Sequence, residues 1–140
     1  MNGERVAVAS LGGTITMTSA SGGTGVTPSL TAADLVDSVP GLADAVEVTA
    51  RTITTAPGAW LAVADVLQAL SWARRAVDEG ASGAVIIQGT DTMEESAYLL
   101  DLYWDRPAPL VVTGAMRTAQ MAGADGPANI LAAARVASSP

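Results

Sequence analysis

Histidine, cysteine, lysine and phenylalanine are all absent from this 140-residue chain. Without cysteine there is no disulfide framework, no thiolate nucleophile and no thiolate-bound zinc. Without histidine there is no imidazole base, which excludes the Ser-His-Asp and Cys-His arrangements along with imidazole metal ligands. Without lysine there is no phosphate-binding P-loop, and no G-x-G-x-x-G follows the first apolar run. The carboxylates are scattered and lack the spacing of a calcium loop. Neither a metal nor a cofactor is therefore expected.

Long apolar runs are also missing. None reaches the roughly 18 to 20 residues needed to cross a bilayer. The amino terminus, Met1-Asn2-Gly3-Glu4-Arg5, lacks the charged, apolar and cleavage regions of a signal peptide. A cytoplasmic protein with no membrane partner is expected. All seven cations are arginine, and the net charge is −7. That balance argues against a nucleic-acid partner, because phosphate contacts need clustered basic residues. The one basic pair, Arg74-Arg75, lies next to Asp78 and Glu79 and reads as a solvated helix face.

Hydrophobic residues make up 49% of the chain and charged residues 15%, enough apolar material for a sizeable core. Four short apolar runs read as strands: Val6–Leu11, Val46–Thr54, Ala84–Gln88 and Leu110–Thr113. Helical patterns lie between and after them. One opens at Thr31 and closes at Pro40-Gly41. A second spans Trp60–Glu79, with Val63, Leu67, Leu70 and Val77 as its apolar face. A third follows the capping-box pattern Thr92-x-x-Glu95, and a fourth runs from Pro127 to Ala137. This alternation predicts an α/β fold, a mostly parallel sheet with helices on both faces. Between Thr14 and Ser29 the chain is rich in Thr, Ser and Gly, and the alternation at Thr14–Thr18 suggests a flap-like hairpin.

Two segments carry the chemistry. Leu11-Gly12-Gly13-Thr14-Ile15 and Gly89-Thr90-Asp91-Thr92-Met93-Glu94-Glu95 each follow a strand, so each sits at a carboxyl strand end, where ligands bind in open α/β sheets. Together they supply the hydroxyls of Thr14, Thr90 and Thr92 and the carboxylate of Asp91. Backbone N–H groups at such glycine turns suit a developing oxyanion. In a chain with no histidine or cysteine, this set points to acyl transfer through a threonine. On the residues alone, Gly12-Gly13-Thr14 also reads as a plain turn, and Thr90, Asp91 and Thr92 as capping residues. Asp125-Gly126-Pro127 reads as a helix start. Arg117 reads either as a ligand for a carboxylate or, more simply, as the partner of a carboxylate of the protein.

The ordered set LGGTI, GTDTMEE, VTGAMR and GADGPAN resembles the bacterial-type L-asparaginase/glutaminase family, over about Val6 to Ala137. The resemblance implies a truncated amino-terminal domain over residues 1–140, of the asparaginase-like Rossmann or flavodoxin-like type. It implies Thr14 as nucleophile, Thr90 as the second catalytic threonine and Asp91 as the ligand of the substrate's α-amino group. Gly58 would lie in the substrate-binding turn, and Ala115 would offer its carbonyl near the leaving amide. The substrate implied is L-asparagine, or alternatively L-glutamine, in a homodimer or homotetramer. This sequence departs from the family pattern in three places. It has no lysine to support Thr90 and Asp91. Thr24-Gly25-Val26 stand where the flap tyrosine is usual, and Gly58 aligns with a substrate-binding serine. Family members complete the site with residues of a neighbouring subunit's carboxyl-terminal domain, so the resemblance implies that the isolated chain is inactive. An amidase-like subunit of a tRNA-dependent amidotransferase and a non-catalytic amino-acid-binding module are the alternatives.

Overall fold

The computed structural model describes residues 4–19 and 26–139. Its centre is a four-stranded parallel sheet formed by β1 (Arg5–Ser10), β4 (Glu47–Thr52), β5 (Gly83–Ile87) and β6 (Leu110–Thr113), in the order β4-β1-β5-β6. β1 pairs with β4 from Arg5↔Glu47 to Ser10↔Thr52, and with β5 from Val6↔Gly83 to Ser10↔Ile87. The chain leaves β1 for β4 on one side and returns to β5 on the other. The strand order therefore reverses at the β1/β5 boundary, and the crevice at such a switch point is where ligands bind in folds of this class.

Strand composition follows from burial on both faces. Val6 and Val8 of β1, with Val85 and Ile87 of β5, pack against α1 (Ala32–Asp37), α2 (Leu42–Ala45) and α5 (Gly126–Ala137) through Leu35, Leu42, Ile130 and Ala134. Ala9, Leu11 and Ile86 point the other way, toward Val66, Ala69 and Leu70 of α3 (Val63–Asp78) and Leu100 of α4 (Met93–Tyr103). Ala7 and Ala84 continue that second layer against Ala73. The period of two along each strand thus feeds two helical layers. A separate antiparallel hairpin joins β2 (Met17–Ser19) to β3 (Val26–Pro28), as the alternation near Thr14 suggests. Thr18 and Ser29 hydrogen-bond through their hydroxyls across 2.7 Å at its base. The middle of the expected flap, residues 20–25, lies outside the described residues.

α1 starts as expected: the Thr31 hydroxyl accepts from the Asp34 N–H, and the Asp34 carboxylate accepts from the Thr31 N–H. Three expectations need correction. The second helix begins at Val63, with Trp60 in a preceding 3₁₀ turn and 80% exposed. Its buried face is Val66, Ala69, Leu70 and Ala73, whereas Val63 and Leu67 are exposed. Val66 and Leu70 fill the space against the sheet, and the alanines beside them, Ala69 and Ala73, let the helix lie close to it. Finally, Arg74 is not a freely solvated cation. It bridges to Asp105 at 2.9 Å and donates to the Tyr103 carbonyl at the end of α4.

Candidate active site

Three of the four parallel strands run into short 3₁₀ turns soon after their carboxyl ends. Thr14–Thr16 follows β1, Gly58–Trp60 follows β4 and Thr90–Thr92 follows β5. Parallel pairing puts all three turns at one sheet edge, and the residues singled out in the sequence lie on them. Thr14 is half-buried, Gly58 is buried, and Thr90 and Asp91 are exposed.

Glycine backbones bring the turns together. Gly12 and Gly13 adopt φ of +94° and +89°, a region that suits residues without a Cβ. A Cβ on Gly12 would lie 2.5 Å from the Ala56 carbonyl oxygen, and one on Gly13 would fall on the backbone of Gly89. The Gly13 N–H donates to the Ala56 carbonyl at 3.1 Å, and the Leu11 N–H to the Ile87 carbonyl at 2.7 Å. Gly58 and Gly89 meet in the same way: a Cβ on Gly89 would sit 2.8 Å from the Gly58 Cα. The Asp91 carboxylate rests over Gly58, where an added Cβ would come within 3.0 Å of its Oδ2. The β1, β4 and β5 ends therefore form one close-packed corner.

Thr92 departs from expectation in a way that matters here. It occupies the N-cap position of α4 but makes no side-chain capping bond. Its hydroxyl donates instead to the Gly58 carbonyl, 3.0 Å away. The sequence pattern of a capping box is present, and a tertiary contact takes its donor. Thr16, fully buried, donates to the Gly13 carbonyl at 2.8 Å and closes the turn that presents Thr14.

The loop after β6 reaches the same edge. Ala115 is 2% exposed and packs toward Gly126 and Ile15. The Asn129 amide donates to the Gly114 carbonyl at 2.9 Å. Asp125 heads α5 without a side-chain capping bond. Its carboxylate accepts from the Met116 and Arg117 N–H groups at 3.0 and 2.9 Å, and these bonds hold its pKa below the usual carboxylate value. The simpler reading of Arg117, pairing with a carboxylate, does not describe its side chain. Its Nη1 donates to the Gly123 and Ala122 carbonyls, at 3.1 and 3.4 Å.

Sequence reasoning missed Gln88. This residue directly follows β5, before Gly89, and is fully buried. Its Nε2 donates to the Gly89 carbonyl at 3.3 Å, and its Oε1 has no hydrogen-bond partner among the described residues. A polar residue closing the AVII run is the only signal that could have marked it.

A family model for the amino-terminal domain of asparaginase matches residues 5–140. The chain belongs to the asparaginase family. It is 34% identical over 131 residues to L-asparaginase 2-3 of Saccharomyces cerevisiae, an alignment spanning 91% of this chain and 36% of the yeast protein. It is 29% identical over 143 residues to a glutamyl-tRNA(Gln) amidotransferase subunit of Methanococcus maripaludis, covering 98% of this chain and 33% of that one. Among solved structures, one described as a probable cytoplasmic L-asparaginase from Campylobacter jejuni superposes with a TM-score of 0.85 at 29% identity, over 97% of this chain and 40% of the other. The asparaginase-family domain thus spans about a third of the length of these curated relatives. Among the described residues no helix is long and apolar enough to cross a membrane.

Proposed function

We propose that this asparaginase-family protein hydrolyses the side-chain amide of L-asparagine to L-aspartate and ammonia. The observation that carries the reading is the corner at the β1/β5 switch point. There the Thr14 turn packs through Gly13 directly on Gly89, at the head of the turn that bears Thr90 and Asp91, and Gly58 packs on Gly89 as well.

In this reading Thr14 is the nucleophile. Its oxygen bonds to the amide carbon, the C–N bond breaks, and ammonia leaves with the proton gained in the exchange. Water then attacks the resulting ester, releases L-aspartate and restores the Thr14 hydroxyl. Thr90 supplies the second hydroxyl beside the reacting carbon, and the exposed Asp91 carboxylate pairs with the substrate's α-ammonium. In the same reading Gly58 lies in the substrate-binding turn, and the Ala115 carbonyl is offered near the leaving amide. Hydrogen-bond donors for the oxyanion come from main-chain N–H groups at the strand ends. L-Glutamine is the alternative substrate, and the assembly is a homodimer or homotetramer in the cytoplasm.

The test is ammonia release from L-asparagine by the full gene product, with Thr14→Ala alongside. Turnover that falls by about a thousandfold or more in the variant supports a threonine nucleophile, the scale expected for removing a group of this kind. Equal turnover in both proteins removes Thr14 from the mechanism. Binding of L-asparagine without turnover moves the assignment to a binding module. The amidotransferase relatives favour one second reading, in which the released ammonia is passed to a tRNA-linked acceptor. Ammonia release that depends on added tRNA and a partner protein would select it.

A further inference from the structure

Arg117 is not accounted for by the amide chemistry, and it borders a cavity to which that chemistry gives no role. The cavity measures about 180 Å³ and lies on the α1/α5 side of the sheet. Ile15, Leu30, Leu35, Pro127 and Ile130 form apolar walls, and Arg117 is the charged residue among those that line it. Among the described residues the salt bridges belong to Arg74 and Arg106, so the Arg117 guanidinium has no carboxylate partner. The nearby Asp125 carboxylate is already engaged by the Met116 and Arg117 N–H groups and the Asn129 amide.

The guanidinium is held in place rather than loose. Its Nη1 lies against the carbonyls of Ala122 and Gly123. Gly123 adopts φ +71°, and a Cβ there would stand 2.5 Å from that nitrogen. A glycine in the left-handed region is thus what makes room for the arginine head. Fixing Nη1 on two carbonyls leaves Nε and Nη2 open among the described residues, and a planar fork of this kind matches a carboxylate.

We propose that this cavity is a second ligand site, for a small monocarboxylate with a short branched aliphatic tail. The carboxylate would pair with Arg117, and the tail would lie among Leu30, Leu35 and Ile130. The volume sets the size, because it falls below that of pockets for drug-sized ligands and admits a chain of about four to six carbons. A phosphate would leave the apolar walls unfilled, and a long-chain fatty acid would not fit. The site also touches the catalytic turn from behind. Ile15, between Thr14 and Thr16, is one wall, and its side chain packs so closely on Gly126 that a Cβ there would come within 2.9 Å of its Cγ1. An occupant therefore bears on the turn that presents Thr14 without entering the corner formed by Gly58 and Asp91.

The site does not depend on the amidohydrolase reading, and its test is a binding measurement. 3-Methylbutanoate is titrated into the full gene product and followed by ligand-observed NMR, with 3-methylbutanamide and inorganic phosphate as comparison ligands. Saturable binding with a Kd on the order of 1 mM is expected, the range open to so small a ligand. The uncharged amide and phosphate are each expected to bind at least about tenfold more weakly, as is 3-methylbutanoate to Arg117→Gln. Arg117 is exposed, so this variant keeps the fold. Leu30→Phe, which fills the cavity and leaves the charge in place, is expected to weaken binding as well. Saturating L-aspartate is expected to leave the Kd unchanged. Equal binding to Arg117→Gln, equal binding of phosphate, displacement by L-aspartate, or no saturable binding to the native protein would each overturn the proposal.

Discussion

The Thr92 hydroxyl donates to the Gly58 carbonyl across 3.0 Å and ties the turn after β5 to the turn after β4. That bond fixes the floor beneath Asp91, whose carboxylate lies over Gly58. Thr92→Val keeps the side-chain shape and removes the donor. The half-buried tether is then lost at a cost of about 1 kcal/mol in stability. KM for the amide substrate is expected to rise more than kcat falls, because the tether supports Asp91, proposed above to bind the substrate's α-ammonium. Thr92→Ser restores the donor and both readouts. Urea unfolding and steady-state ammonia release check this, and a variant matching the native protein in midpoint and KM would remove the tether from the account.

Two alanine substitutions at the same corner are expected to behave differently. Gly13→Ala forces a Cβ onto the Gly89 backbone at a φ of +89°, so both strain and collision act on rigid main chain. A loss of roughly 1–3 kcal/mol is expected, with activity abolished. Gly58→Ala meets the Asp91 Oδ2 at 3.0 Å, the end of a side chain that can turn aside, and the Gly89 backbone at 3.2 and 3.3 Å, without a positive φ to add strain. Stability should fall less than in Gly13→Ala, while substrate affinity drops as Asp91 moves. Thermal unfolding together with KM separates the two, and similar unfolding midpoints for both variants would contradict this packing.

Much of the fold was legible because the strands are buried on both faces. Val6, Val8, Val85, Ile86 and Ile87 have no exposed side from which polarity could enter, so their runs stand out. Gly80 stands just past the end of α3, with φ +97°. The α3 face was misread because small alanines, not the largest residues, face the sheet at Ala69 and Ala73. The four-residue α2 left no periodic signal at all. At the site, strand ends followed by glycine and hydroxyl residues marked the turns that bear Thr14, Thr90 and Asp91, and these turns meet through the Gly13 and Gly89 backbones. The interlocking of Gly13, Gly58 and Gly89 was not visible, since close backbone approach leaves no trace beyond the glycines themselves. The diversion of Thr92 was hidden for a related reason: a local motif cannot reveal a competing partner 34 residues away.

Gln88 offers a prediction opposite in sign to most core substitutions. Its Oε1 is buried with no partner among the described residues, and its one bond, to the Gly89 carbonyl, is long at 3.3 Å. An unsatisfied buried acceptor costs about 1–3 kcal/mol, more than a long bond of this kind returns. Gln88→Met keeps a similar volume without the polar atoms and is expected to stabilise the protein by about 1 kcal/mol. Urea denaturation measures it directly. A drop in stability of that size would mean that a donor, such as a buried water, already satisfies Oε1 in solution.

Acid should loosen the loop that carries Ala115 before it unfolds the sheet. The Met116 and Arg117 N–H groups bond to the Asp125 carboxylate and hold its pKa below the usual value, so the folded state favours the ionised form. A depressed folded pKa gives a contribution that is complete above the unfolded value of about 3.9 and disappears as pH falls through the folded one. The carboxyl ¹³C signal of Asp125 is therefore expected to titrate below that of an unfolded-chain aspartate. The amide signals of Met116 and Arg117 should move with the same midpoint. Asp125→Asn keeps an acceptor for one N–H and removes the charge, so the loop becomes less ordered at neutral pH and its response to acid vanishes. If instead the two amides stay still while Asp125 titrates, the carboxylate does not hold this loop, and the position of Ala115 must come from the Asn129 bond to Gly114 alone.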